Sequence, residues 1–321
     1  MTPLLERLRR SLEMPGPSVG LEIAADRVTG VALSGMRSKS RLVGHTSVSL
    51  PEGAVVPAAS AVNIIDRTAV TEAVRQVLEE LPRRATRVGV VVPDSVAKVS
   101  LVHFDSAPAR EADLQRLAAW QVRKAVPFRV EDAQIGCAAG VQGRDGGQEY
   151  VVTLIRRDIV EEYEAVCADA GAHAGLLDLA SFNLINASIA MSPPQHADWL
   201  LVHLASGYST LAIIRGQDLI FFRNRPTRTT GDLADLVHQT AMYYEDRLEG
   251  RGLTRTVLVD SSRAGGASAA ARQVLQERLG AAAEPLAWDR ATRGLGVEAT
   301  ALDPLAASLG LVIREQWLSA A

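Results

Sequence analysis

WLLVHLASGYSTLAIIRGQDLIFFR, Trp199 to Arg223, is the stretch whose reading decides the fold. It reads as two apolar strands joined by a tight turn, then a third strand. The turn is Ala205-Ser206-Gly207-Tyr208, and its small residues permit the positive φ that a tight hairpin demands. A weaker copy lies near the start of the chain. Gly20 to Gly35, GLEIAADRVTGVALSG, lies over Leu201 to Gly216 without a gap, with Ala24 on Ala205, Thr29 on Thr210 and Gly35 on Gly216. The elements after each copy agree as well. After the first come a strand at Arg41–Leu50, a helix at about Asp66–Leu81 and a strand at Arg87–Val92. After the second come a strand at Asp218–Arg223, a helix at Gly231–Glu249 and a strand at Thr256–Asp260. The order β-β-β-α-β thus occurs twice, which predicts two similar lobes facing each other across a cleft.

The chain has 321 residues, 47% of them hydrophobic and 22% charged, which suits two ordinary domains with a sizeable core. A net charge of -3 argues against nucleic acid, whose phosphates want a basic surface. Cys137 and Cys167 form no metal motif and point to a reducing compartment. No apolar run approaches the 18 or so residues of a membrane span, and the N-terminus lacks a signal-peptide core. No Ser-His-Asp order, zinc spacing or dinucleotide glycine motif stands out.

Residues 1–17 read as an N-terminal helix or tail, with Leu4, Leu5, Leu8 and Leu12 on one face; docking on a membrane surface and packing on its own domain both stay open. Residues 18–92 and 156–192 make the first lobe, 193–321 the second. Between them, 93–155 is an insertion that the second repeat lacks, read as a small α/β subdomain. Within it a helix is expected from about Pro108 to Ala125, with Leu114, Leu117, Ala118, Val122 and Ala125 on one face and Pro127 as its stop. Leu117, Trp120, Val122, Pro127 and Phe128 are candidates to line a partner groove, with simple packing as the other reading. A last helix is expected over Asp303–Trp317, with Asp303 as its cap and Pro304 in its first turn.

This layout resembles the actin-like ATPase superfamily, an α/β, ribonuclease-H-like fold of two lobes, and more narrowly the PilM family of type IV pilus assembly. GLEIAADRVTGVALSG and LLVHLASGYSTLAIIRG are similar to the family's two phosphate hairpins. AAWQVRKAVPFRVEDA (Ala118 to Ala133) is similar to its W-E-A helix ending in I-P-F. LAASLGLVIRE (Leu305 to Glu315) resembles its closing segment. The resemblance implies a cytoplasmic adaptor, held at the inner membrane by the N-terminal peptide of a PilN-like single-span protein, which lies between the inserted subdomain and the first lobe.

The resemblance also implies a nucleotide site at Glu22, Ala24, His203, Ser206, Gly207, Ser209 and Thr210, with Gly265 and Gly266 on the adenosine side. The chain departs from it. His203 stands where the family has a carboxylate, and imidazole does not replace one in a Mg²⁺ shell. Ala24 and Ala205 replace glycines that allow close phosphate approach. Arg223 runs almost directly into the next helix, leaving no room for the family's second-lobe insertion subdomain. The expectation is a scaffold without ATPase activity and without metal, with ATP and Mg²⁺ bound only if the ancestral cleft survives. The competing readings are an active actin-like ATPase or kinase, and a filament-forming protein like FtsA.

Overall fold

The computed structural model describes residues 17–34, 41–82, 85–143, 146–192, 196–262, 267–288 and 299–318. The expected N-terminal helix therefore falls outside the described residues, Pro17 excepted. The first lobe is built on β1 (Val19–Ile23), β2 (Arg27–Ser34), β3 (Arg41–Ser49), β4 (Arg87–Val92) and β8 (His173–Leu179), in the order β3-β2-β1-β4-β8. β1 is buried along its whole length, Glu22 included, as befits a central strand. β3 alternates and stands at the sheet's edge. Helix α1 (Arg67–Glu80) starts where the Asp66 side chain accepts the Ala69 N–H at 2.9 Å, and it buries Val70, Ala73, Val74 and Val77 on the sheet.

The second lobe repeats this plan with β9 (Asp198–Ala205), β10 (Tyr208–Arg215), β11 (Asp218–Pro226), α5 (Thr230–Arg247) and β12 (Arg255–Asp260). The register is the same in both. Glu22 pairs with Thr29 across the first hairpin, and His203 pairs with Thr210 across the second. β4 lies parallel to β1, and β12 parallel to β9. Gly207 takes φ 86° at the second turn. Only Thr227, Arg228 and Thr229 separate β11 from α5, so no second-lobe subdomain is inserted there. A capping box between Thr229 and Asp232 starts α5 at once. Helix α6 (Ala267–Leu279) leads to a short strand, β13 (Ala283–Glu284), which extends the sheet to β11-β10-β9-β12-β13.

The insertion folds as β5 (Ala97–Phe104), α2 (Glu111–Val122), β6 (Ala133–Gln142) and β7 (Gln148–Arg156), with sheet order β5-β7-β6. The chain re-enters the first lobe through α3 (Arg157–Asp169), β8 and α4 (Ala180–Met191). Two expected helices differ from those observed. α2 begins at Glu111 rather than Pro108, where Glu111 and Asp113 suit a positive helix end. It stops at Val122, because Val126 and Phe128 turn back onto the subdomain core, and Ala125 is left exposed. The last helix, α7 (Ala306–Leu318), starts after Pro304, which lies in a 3-10 turn. Asp303 does not cap it, because its carboxylate accepts the Asp260 N–H instead.

One apolar cluster joins the lobes. Val31, Leu33 and Val91 of the first sheet meet Trp199, Leu201, Ala212, Ile214 and Val259 of the second, with α4 and α7 between them. α7 lies close to its neighbours because it carries Gly310. A Cβ there would stand 2.5 Å from the Asn183 carbonyl oxygen on α4. Alanine normally favours a helix over glycine by about 1 kcal/mol. Here Gly310→Ala is expected to lower unfolding free energy by about 1–3 kcal/mol through overpacking. Urea unfolding checks the sign; a gain in stability would mean that α4 and α7 have room to spare.

Candidate functional site

Two places meet the description of a site: the cleft between the hairpins and a groove beside the inserted subdomain. The cleft is bonded shut. Asp94, in the turn after β4, is 1% exposed. Its Oδ1 accepts the Ser181 N–H at 3.0 Å, and its Oδ2 accepts the Thr210 hydroxyl at 2.6 Å and the Ser181 hydroxyl. The Asp94 N–H donates to Tyr208 Oη at 3.3 Å. His203 Nδ1 lies 2.9 Å from Ser181 Oγ and 3.7 Å from Asp94 Oδ2, and its Nε2 lies 2.8 Å from Ser261 Oγ. Ser181 gives its proton to Asp94 and Ser261 gives its own to the Leu204 carbonyl. Both ring nitrogens therefore face hydroxyl oxygens whose own protons are given elsewhere. Burial alone would raise Asp94, but His203 and the Ser181 and Thr210 hydroxyls outweigh it and hold the carboxyl below its usual range. Asn224 extends the network, donating to Thr210 Oγ1 at 2.9 Å and approaching Ser95 Oγ at 3.2 Å. Asp94 and Ser95 stand where the chain leaves β4 of the first lobe for the insertion, and Ser181 is on α4 of the first lobe; the others belong to the second.

The residues expected around phosphates are thereby separated. His203 and Thr210 belong to the bonded network. Ala24 turns the first hairpin, its N–H donating to the Arg27 carbonyl at 2.9 Å. Ser206, Gly207 and Ser209 line a different cavity of about 280 Å³ together with Thr227, Arg228 and Thr229. Gly265 and Gly266 lie outside the described residues. Glu22 is 4% exposed, with Oε2 unbonded and 3.9 Å from Arg27. Burial pushes its carboxyl up, and Arg27 opposes this. Two buried carboxylates share the cleft, but Glu22 stands beside an arginine and Asp94 is already bonded to Ser181 and Thr210, so they do not offer Mg²⁺ an open oxygen shell. Among the described residues no three His, Cys, Asp or Glu side chains cluster as metal ligands do. Asp94 and Ser261 carry the network, yet no motif marks them in the sequence. The one signal at Asp94 is an acidic residue directly after a buried strand and Pro93.

The groove is open. It has a volume of about 470 Å³ and runs between β6 and β8, each an outer strand of its own sheet. Ile135, Cys137, Val151, Ile155, Leu177 and Phe182 give it an apolar lining. None of the five residues expected to line a partner groove faces this one. Val122 is buried in the subdomain core, with Leu117 and Phe128 packed against it. Pro127 is exposed in the turn after α2. Trp120 is 61% exposed, with the Arg123 guanidinium 4.4 Å over its ring.

A model of the family described as type IV pilus assembly protein PilM matches residues 20–240. No curated protein matches the chain. A chain of the solved PilM-PilN type IV pilus biogenesis complex aligns with a TM-score of 0.77 at 15% identity, over 96% of this chain and 100% of that one. A Bacteroides thetaiotaomicron protein with an actin-like ATPase fold and unknown function aligns with a TM-score of 0.51 at 9% identity, over 91% of this chain and 95% of that one. The fold is that of the actin-like ATPases. Among the described residues no helix is long and apolar enough to cross a membrane.

Two measurements probe the closed cleft. Asp94→Ala removes the acceptor and leaves His203, Ser181 and Thr210 buried without it, so a loss of about 3–5 kcal/mol is expected in chemical denaturation. A loss under about 1 kcal/mol would show that the lobes do not depend on this bond set. Asp303, in the 3-10 turn before α7 and bonded to the Asp260 N–H at the end of β12, is pushed by burial up to about 6 from 3.8. Its contribution is complete below pH 4 and is lost as the pH rises to about 6, on the order of 3 kcal/mol. Asp303→Asn keeps an acceptor for the Asp260 N–H and is expected to raise Tm at pH 7 but not at pH 4. Equal shifts at both values would refute the assignment.

Proposed function

Since the chain belongs to the PilM family of type IV pilus assembly proteins, we propose that it is a non-hydrolysing adaptor. It takes the extended N-terminal segment of a PilN-like single-span membrane protein into the groove between β6 and β8. The observation that carries this reading is the pair of unpaired sheet edges facing one groove. An extended segment gains main-chain hydrogen bonds from such an edge, and its alternate side chains find the apolar lining. The solved relative is itself a complex of PilM with PilN, which supports the choice of partner. Held in this way, the protein works on the cytoplasmic face of the inner membrane.

The bonded cleft supports the second half of the reading. Phosphates between the hairpins would have to displace the Asp94 network, and His203 offers Mg²⁺ no oxygen. Calorimetric titration with the cytoplasmic N-terminal peptide of the single-span protein encoded beside this gene, with and without Mg-ATP, tests both halves. Binding in the micromolar range or tighter, unchanged by ATP, is expected. ATP turnover abolished by Glu22→Gln would overturn the non-hydrolysing reading, and failure of the peptide to bind would overturn the adaptor.

A further inference from the structure

The same groove carries one charged group without a partner. Val160 and Glu164 stand four residues apart on α3 and reach the groove from one helical face. Glu164 is exposed and has no ion-pair or hydrogen-bond partner among the described residues. The other acid in the lining, Asp178, is bonded to Arg314 of α7. No Lys or Arg lines the groove. Arg87 comes close, its side chain crossing Gly175, but it lies on the opposite face of the sheet. Gly89, two residues along the same strand, faces Leu311 of α7, whereas Val88 and Val90 pack with Ile159 and Val160 of α3. On Glu164's own helical face the next cation is Arg157, about 10 Å away by helical rise, and it donates to the Ala133 carbonyl at 3.2 Å.

We propose that Glu164 selects a segment carrying a Lys or Arg beside its apolar run. The cation meets this carboxylate while the apolar side chains rest on Ile135, Ile155 and Leu177. The proposal rests on the adaptor reading and specifies the chemistry of its occupant. Backbone pairing along an open edge is blind to sequence and permits slippage, so a side-chain contact has to set the register. A charge at the rim does this at small energetic cost. The cytoplasmic flank of a single-span protein offers the matching charge, because Lys and Arg concentrate on that side of the membrane.

The test is a double-mutant cycle by calorimetry. The peptide is the cytoplasmic N-terminal segment of the neighbouring single-span protein, made with its Lys and Arg residues kept or replaced by glutamine. Each version is titrated into the wild-type chain and into Glu164→Gln, which alters an exposed side chain only. Either change alone is expected to weaken binding about 2- to 5-fold, and both together no more than one. Multiplying effects, or none, with binding retained, would overturn the role of Glu164 and leave the adaptor standing. If no version binds either protein, the adaptor reading falls and this proposal falls with it.

Discussion

A carboxylate with 1% exposure is tolerable only where its charge is met on every side. Asp94 satisfies that condition with groups from both lobes: Ser181 from α4, Thr210 from the second hairpin and His203 beside it. The partners are mutually dependent. Moving the lobes apart would leave Asp94, His203 and the hydroxyls buried without their bonds, or would admit water to a region now continuous with the apolar cluster around α4 and α7. This bond set therefore holds the two lobes to each other.

The duplicated plan makes the chemical difference between the hairpins plain. Glu22 and His203 occupy equivalent places in identical registers, each opposite a threonine. In the first copy the carboxylate is buried beside Arg27 and keeps an unbonded oxygen. In the second the ring is bonded at both nitrogens, to Ser181 and Ser261, with Asp94 Oδ2 3.7 Å from Nδ1. A symmetric scaffold thus holds an asymmetric filling, which binds the halves to each other.

The repeat is legible in the sequence because β1, β2, β9 and β10 are apolar runs joined by short turns, and such runs overlay without gaps. The helix capped by Asp66 declares its own start. Asp94 is not legible, since nothing local distinguishes a buried acid bonded across 116 residues from a solvated one. The sequence points to a partner groove on α2, where the aromatics are, and it does not announce the separate groove between β6 and β8. β6 reads AQIGCAAGVQ, with too few β-branched or aromatic residues to announce a strand. Asp303 misleads for a related reason: a helix cap and a tertiary acceptor look alike in sequence, and the Asp260 N–H claims the carboxylate.

The small residues that hide β6 in the sequence also account for what it does. Exposed sheet edges are ordinarily protected by lysine, proline or a bulge. β8 carries such an irregularity at Gly175, where its register with β4 shifts. β6 has no lysine and no proline, and its register with β7 shifts only beyond Ala139. Across Gln134 to Ala138 it offers a straight edge with Gly136 and Ala138 among its residues, narrow enough for another backbone to approach. A free edge of this kind, facing a second edge across an apolar floor, is an aggregation hazard unless something regularly covers it. The geometry of the hazard is also that of strand addition, so the proposed adaptor role and the solubility of the free chain make the same demand on β6.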